Sequence, residues 1–170
     1  MILAFDTYYF ENQAKTVCIQ FNNWNSKETT KVYEETLTGI SDYIPGEFYK
    51  RELPCILSLL KKINLDNCYA IIIDGFVFLD DNKKLGLGGH LYKSLKNNIP
   101  VIGVAKNDFK NINTHKTSIV RGNSKKALHI TAIGMDVNIA AKKIKEMHGE
   151  FRFPDLLKKV DSLGRENLTN

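Results

Sequence analysis

Tyr69-Ala70-Ile71-Ile72-Ile73-Asp74-Gly75 reads as a central strand, an unbroken apolar run with three β-branched isoleucines that ends on a carboxylate and a glycine. Apolar runs without alternation belong to strands covered on both faces, as in the parallel part of an α/β sheet. An unpaired buried charge is costly, so a carboxylate at the strand tip needs a partner. Ligands of open α/β sheets bind at that edge. A second short apolar strand, Ile2-Leu3-Ala4-Phe5, leads into Asp6. Two strand-borne carboxylates on one sheet point to a divalent cation site, because hard cations take oxygen ligands.

Working outward, residues 1–38 read as an antiparallel meander of three strands: Ile2 to Phe10, Lys15 to Phe21 with Val17, Ile19 and Phe21 alternating, and Thr29 to Leu37. A helix is predicted from about Phe48 to Ile63, with Leu53, Ile56, Leu57, Leu60 and Ile63 on one face. Pro54 is expected in its first turn, which puts the helix start near Glu52. After the Asp74 strand come a polar loop, Asp80 to Lys84, and a helix from Gly86 to Asn97. Pro100 to Ala105 is a further strand, parallel to the Asp74 strand if the helix between them is a crossover. Residues 107–117 read as a loop, Ser118 to Arg121 and Ala127 to Ile133 as a strand pair, and Val137 to His148 and Pro154 to Leu163 as helices. An antiparallel meander followed by parallel strands and helices predicts an α/β fold, a mixed sheet flanked by helices, in the order of a ribonuclease H-like domain.

At 170 residues the chain fits a single domain over 1–170 with a real core. Its 43% hydrophobic and 25% charged residues exclude a disordered chain. The net charge of +5 is compatible with a polyanionic partner. Lys83-Lys84, Lys125-Lys126, Lys142-Lys143 with Lys145, and Lys158-Lys159 are either solvated faces or a phosphate-tracking surface. Cys18, Cys55 and Cys68 have neither metal nor disulfide spacing, so a cytoplasmic location is expected. No signal peptide and no membrane span is expected.

Four stretches carry a resemblance. Tyr43-Ile44-Pro45-Gly46 is followed by Arg51-Glu52 and Pro54. Ile73-Asp74-Gly75 is followed by Gly86-Leu87 and His90-Leu91. Pro100-Val101-Ile102-Gly103-Val104-Ala105-Lys106 comes next, then Arg152-Phe153-Pro154-Asp155 with Asp161. In kind and order these resemble the motifs of the endonuclease V family, the inosine-directed nucleases. The chain departs from that family's pattern where Phe76-Val77 replace Gln-Gly, where Asp80-Asp81 replace His-Pro, and where Leu156-Leu157-Lys158 replace Pro-Thr-Arg. The segment after Lys106 is also short.

The resemblance implies a ribonuclease H-like fold with Asp6, Glu52, Asp74 and Asp161 around Mg²⁺, or Mn²⁺ in its place. It implies that Asp6, Glu52, Asp74 and Lys106 are catalytic, with Lys106 a phosphate contact or transition-state stabiliser. Tyr43, Pro45 and Gly46 would form a wedge that fills the space of a flipped base, and Gly46, Gly75 and Gly86 would let backbone approach that base. The implied reaction cuts DNA or RNA 3′ of a deaminated adenine, leaving 3′-hydroxyl and 5′-phosphate ends, in the service of DNA repair, and the enzyme is expected to be a monomer.

Plainer readings of the same residues exist. Glu52 also suits a helix start, where the macrodipole favours an acid. Asp161 falls four residues after Leu157 on the stripe Leu157, Val160, Gly164, and is otherwise a solvated helix residue. Lys106 can be a strand-end surface lysine, Tyr43 a core-packed loop aromatic, and the glycines ordinary turn residues. At the level of function the rivals are a nuclease of the same fold without inosine selectivity and a non-catalytic nucleic-acid-binding module.

Overall fold

The computed structural model describes residues 1–39, 48–96 and 98–166, and of Phe48 the backbone alone. Tyr43, Pro45 and Gly46 therefore lie outside the described residues. The first three strands, β1 (Ile2–Phe10), β2 (Gln13–Phe21) and β3 (Lys31–Thr38), form the antiparallel meander. Helix α1 (Phe48–Leu60) leads to β4 (Ala70–Asp74), and α2 (Leu87–Ser94) to β5 (Val101–Ala105). Then follow β6 (Thr117–Ile119), β7 (Leu128–Ile133), α3 (Val137–Glu146) and α4 (Asp155–Arg165). One mixed seven-stranded sheet runs in the order β3-β2-β1-β4-β5-β7-β6. The pairs β1–β4 and β4–β5 are parallel and the others antiparallel. This is the ribonuclease H-like arrangement.

Alternation along the central strands sorts side chains into two cores. Leu3, Phe5, Ile71 and Ile73 face α1 and α2, where Ile56, Leu59 and Leu91 meet them. Ile2, Ala4, Ala70, Ile72, Ile102 and Val104 face α3 and α4, against Ile144, Leu157 and Val160. Asp6, Asp74 and Lys106 continue the second series, two residues beyond Ala4, Ile72 and Val104. They therefore leave their strands on the α3–α4 side of the sheet.

Several element boundaries differ from expectation for local reasons. The strand β3 starts at Lys31, because the Thr30 amide and hydroxyl both donate to the Gln20 carbonyl and finish the turn first. Helix α1 starts at Phe48, a turn ahead of Glu52, so Pro54 lies inside the helix. That extra turn is anchored by Tyr49, whose ring stacks on His90 of α2 at 3.7 Å. The helix stops at Leu60, and Lys61 to Ile63 carry on as tighter turns. Helix α2 is shorter than expected, its last carbonyls taken by the Leu95 amide.

Candidate active site

Pairing registers bring the acids together. Phe5 stands beside Ile73 across β1 and β4, so the next residues, Asp6 and Asp74, leave the sheet at the same level. Asp74 in turn pairs with Val104, which puts Lys106 just past the end of the neighbouring strand. One cleft is lined by Asp6, Asp74, Lys106 and Asp161, floored by Val104 and closed on the α4 side by Leu157. Gly164 of α4 faces the same cleft, where a Cβ on it would stand in ordinary contact with Asp6 Oδ2 at 3.5 Å.

The electrostatics of the cleft are unbalanced. Burial, then the charges of Asp74 and Asp161, push the Asp6 carboxyl up from 3.8 to about 6, against the pull of Lys106 and Arg165. Asp74 lies at an open strand tip, yet crowding by protein holds it above the usual carboxylate range, with Lys106 opposing and Asp161 adding to the rise. Asp161 is ion-paired to Arg165 on the next turn of α4 at 3.0 Å. Negative charge thus exceeds what the local cations neutralise. An all-oxygen donor set with surplus charge fits a hard divalent cation. Among the described residues, no three His, Cys, Asp or Glu side chains are drawn into a closed metal cage.

Glu52 reaches this region from elsewhere. It belongs to α1, on the opposite side of the sheet, and does not line the cleft. Its carboxyl is buried, 3% exposed, and held well above its ordinary value by burial and then by the charges of Asp6 and Asp74. Arg51 offsets part of this, its guanidinium lying 3.7 Å from the centre of the Tyr9 ring. Glu52 is therefore neither a solvated helix-start acid nor a fourth wall of the cleft, but a buried carboxylate behind Asp6 and Asp74.

Lys106 is held from two directions. The Phe153 ring lies 4.4 Å from its ammonium, and Arg152 donates to its backbone carbonyl. On the α1–α2 side, the loop after Asp74 is clamped to the sheet. The Thr131 hydroxyl accepts the Val77 amide at 2.8 Å, and a Cβ on Gly103 would stand 2.5 Å from the Gly75 carbonyl. Gly75 has φ +112°, which favours glycine, and its missing Cβ opens onto uncrowded space. Gly86 is different, for a Cβ there would stand 2.5 Å from the Phe76 carbonyl. The close approach it permits is by the protein's own backbone. Phe76 packs at 5.7 Å on Phe109, three residues past Lys106.

His90 is taken up by its stack on Tyr49, away from the cleft-lining set. Among the lysine clusters, Lys143 lies over Trp24, Lys158 over Phe151, and Lys159 donates to Thr29. Sequence reasoning passed over Arg165, Thr131 and the holding role of Phe153. Arg165 had a local signal, its i,i+4 spacing from Asp161. Thr131 had none, since its partner is 54 residues away.

The model of the endonuclease V family matches residues 1–154, a span that holds Asp6, Glu52, Asp74 and Lys106 and stops before Asp161. No curated protein matches the chain by sequence. Among solved structures, Ciona intestinalis endonuclease V in complex with a 24mer DNA containing an inosine followed by a ribo-adenosine superposes with a TM-score of 0.80 at 17% identity, over 98% of this chain and 85% of that one. Human ENDOV gives 0.73 at 17% identity, over 97% and 82%. The Bacillus subtilis endonuclease V gives 0.70 at 19%, over 96% and 78%. At such identities these likenesses speak for the shared fold, whereas the family match covers most of the chain. The chain therefore belongs to the endonuclease V family, whose members are endonucleases acting on nucleic acid.

Proposed function

We propose that this protein is a single-domain, Mg²⁺-dependent endonuclease that hydrolyses the phosphodiester 3′ of inosine or deoxyinosine. The observation that carries the reading is the convergence of Asp6, Asp74, Lys106 and Asp161 in one cleft, from adjacent strand ends and α4. Asp6, Asp74 and Asp161 would hold the cation, Mg²⁺ or Mn²⁺, with Glu52 behind them. A bound divalent ion supplies polarisation of the phosphate and a lowered pKa for water. The carboxylates orient water and keep the cleft anionic until a cation enters. Lys106 faces the phosphate and offsets charge developing on its oxygens. Gly75 leaves open space beside the cleft where a side chain would stand, which suits close approach of a flipped base. Tyr43, Pro45 and Gly46 keep the wedge role that the family resemblance gives them. The free cysteines Cys18, Cys55 and Cys68 suit a reducing cytoplasm. No helix among the described residues is long and apolar enough to cross a membrane.

One observation favours a second reading, a nuclease of the same fold with weak inosine selectivity. Phe76 and Val77 stand where the family has Gln-Gly, and Phe76 is packed on Phe109. An apolar wall rejects a wrong base weakly, because no polar group is left unpaired by it. The deciding experiment uses matched inosine- and adenine-containing strands, as DNA and as RNA, with Mg²⁺ or with EDTA. Cleavage one bond 3′ of inosine only with the metal supports the first reading. Equal cleavage of both strands supports the second, and no cleavage of any strand defeats both.

A further inference from the structure

Arg121 stands two residues after β6, away from the cleft lining, and is 5% exposed. Among the described residues, its guanidinium donates to backbone carbonyls. Nε donates to Lys145 at 3.2 Å, Nη1 to Phe151 at 2.8 Å and Arg152 at 3.5 Å, and Nη2 to Met147 and to Gly149 at 3.2 Å. All five acceptors belong to the end of α3 and the connection from α3 to α4. The neighbouring Gly122 presses on the same connection, since a Cβ there would run into the Glu150 carbonyl. That connection then delivers two contacts to Lys106. Arg152 donates to the carbonyls of Lys106 and Ala127, and the Phe153 ring meets the Lys106 ammonium. Lys106 needs both, because the β5–β7 pairing ends at Ala105.

We propose that Arg121 is a positioning residue for cleavage: by fixing the α3–α4 connection it holds Arg152 and Phe153 against Lys106 and so aims the Lys106 ammonium into the cleft. This rests on the reading of Lys106 as the phosphate-facing cation. A guanidinium is suited to the task, since its planar fork of donors fits several carbonyls at once. A lysine in its place keeps the charge and loses the fork.

The test uses the full chain carrying Arg121→Lys or Arg121→Met. Amide hydrogen exchange reads the geometry without any activity. Exchange should quicken at least about fivefold at the amides of Met147 and Asp155, which donate to the Ile144 and His148 carbonyls, while β1, β2 and β4 stay protected. Single-turnover cleavage reads the consequence. Arg121→Lys should slow cleavage roughly 10-fold with nucleic-acid affinity within about 3-fold, because Lys106 acts on the transition state. Combined with Lys106→Met it should cost nothing beyond Lys106→Met alone, which damage unrelated to Lys106 would not reproduce. If Arg121→Met does not fold, Arg121→Lys carries the test. Unchanged exchange at Met147 and Asp155 overturns the inference whether or not the protein cleaves, and so does a double variant in which the two losses multiply. A wild-type protein that cuts no nucleic acid defeats the functional reading instead, and the exchange result still decides this one.

Discussion

Asp6→Asn should make the cation-free protein more stable at neutral pH and destroy its activity. The Asp6 carboxyl rises from 3.8 to about 6 on folding. Between these values the folded protein binds more protons than the unfolded one, so this group's contribution to stability falls as pH rises. Below pH 3.8 it carries no penalty, and above about 6 the penalty is full. A rise of roughly two pH units corresponds to about 3 kcal/mol. Partial solvent access reduces this to roughly 1–2 kcal/mol. Asparagine keeps the shape and removes the charge. For a chain of 170 residues the gain corresponds to a Tm rise of roughly 3–6 °C. Thermal melts in EDTA from pH 4 to pH 8 measure it, and the gain should vanish towards pH 4. Adding Mg²⁺ at about ten times its dissociation constant should stabilise wild type by roughly 1.4 kcal/mol and the variant far less. A variant less stable than wild type at pH 8, or a difference that ignores pH, refutes the picture of a charge-crowded cleft.

Asp74→Asn should lower single-turnover cleavage at least about 1,000-fold while binding of a labelled strand stays within about 3-fold, since in the proposed mechanism phosphate contacts carry affinity and the metal carries chemistry. Glu52→Gln should raise Tm in EDTA at pH 8 more than at pH 4, because a carboxyl held above its ordinary value contributes less stability as pH rises; a pH-independent change in the melts would contradict the crowding of its carboxyl by burial and by Asp6 and Asp74. Gly86→Ala should destabilise by roughly 1–3 kcal/mol in urea titrations, its Cβ being forced against the Phe76 carbonyl. The preference for inosine over adenine strands should be modest, on the order of 10–100-fold in kcat/KM; a preference above about 10,000-fold would mean that the Phe76–Phe109 wall does not weaken the pocket.

What the sequence made legible was local. The run 69–75 announced a buried strand, and parity along 2-4-6, 70-72-74 and 102-104-106 put two acids and a lysine on one face. Helical spacing aimed Asp161 at the same side through Leu157 and Val160. Long-range features were not legible. Glu52 comes from the opposite layer, which only the packing of α1 against Leu3, Phe5 and Ile71 decides. The role of Gly86 depends on which backbone lies beside it, and that neighbour is ten residues away in a loop without regular structure. Arg121 and Thr131 look like ordinary polar residues in short strands and turns, because their partners lie 24 to 54 residues off.

The place of α4 bears on how this nuclease comes into being. The helix follows the seven described strands, yet it packs back on β1 and β2 and brings Asp161 to Asp6. Lys15 of β2 ties down its end by donating to the carbonyls of Leu163 and Glu166. Until α4 emerges from the ribosome, Val17 and Ile19 lack Leu156, Leu157 and Val160, which share their core. The step that hides this greasy surface is the same step that completes the acid set. A half-synthesised or C-terminally clipped chain is therefore sticky before it is cutting, and quality control by chaperones and proteases meets it before nucleic acid does.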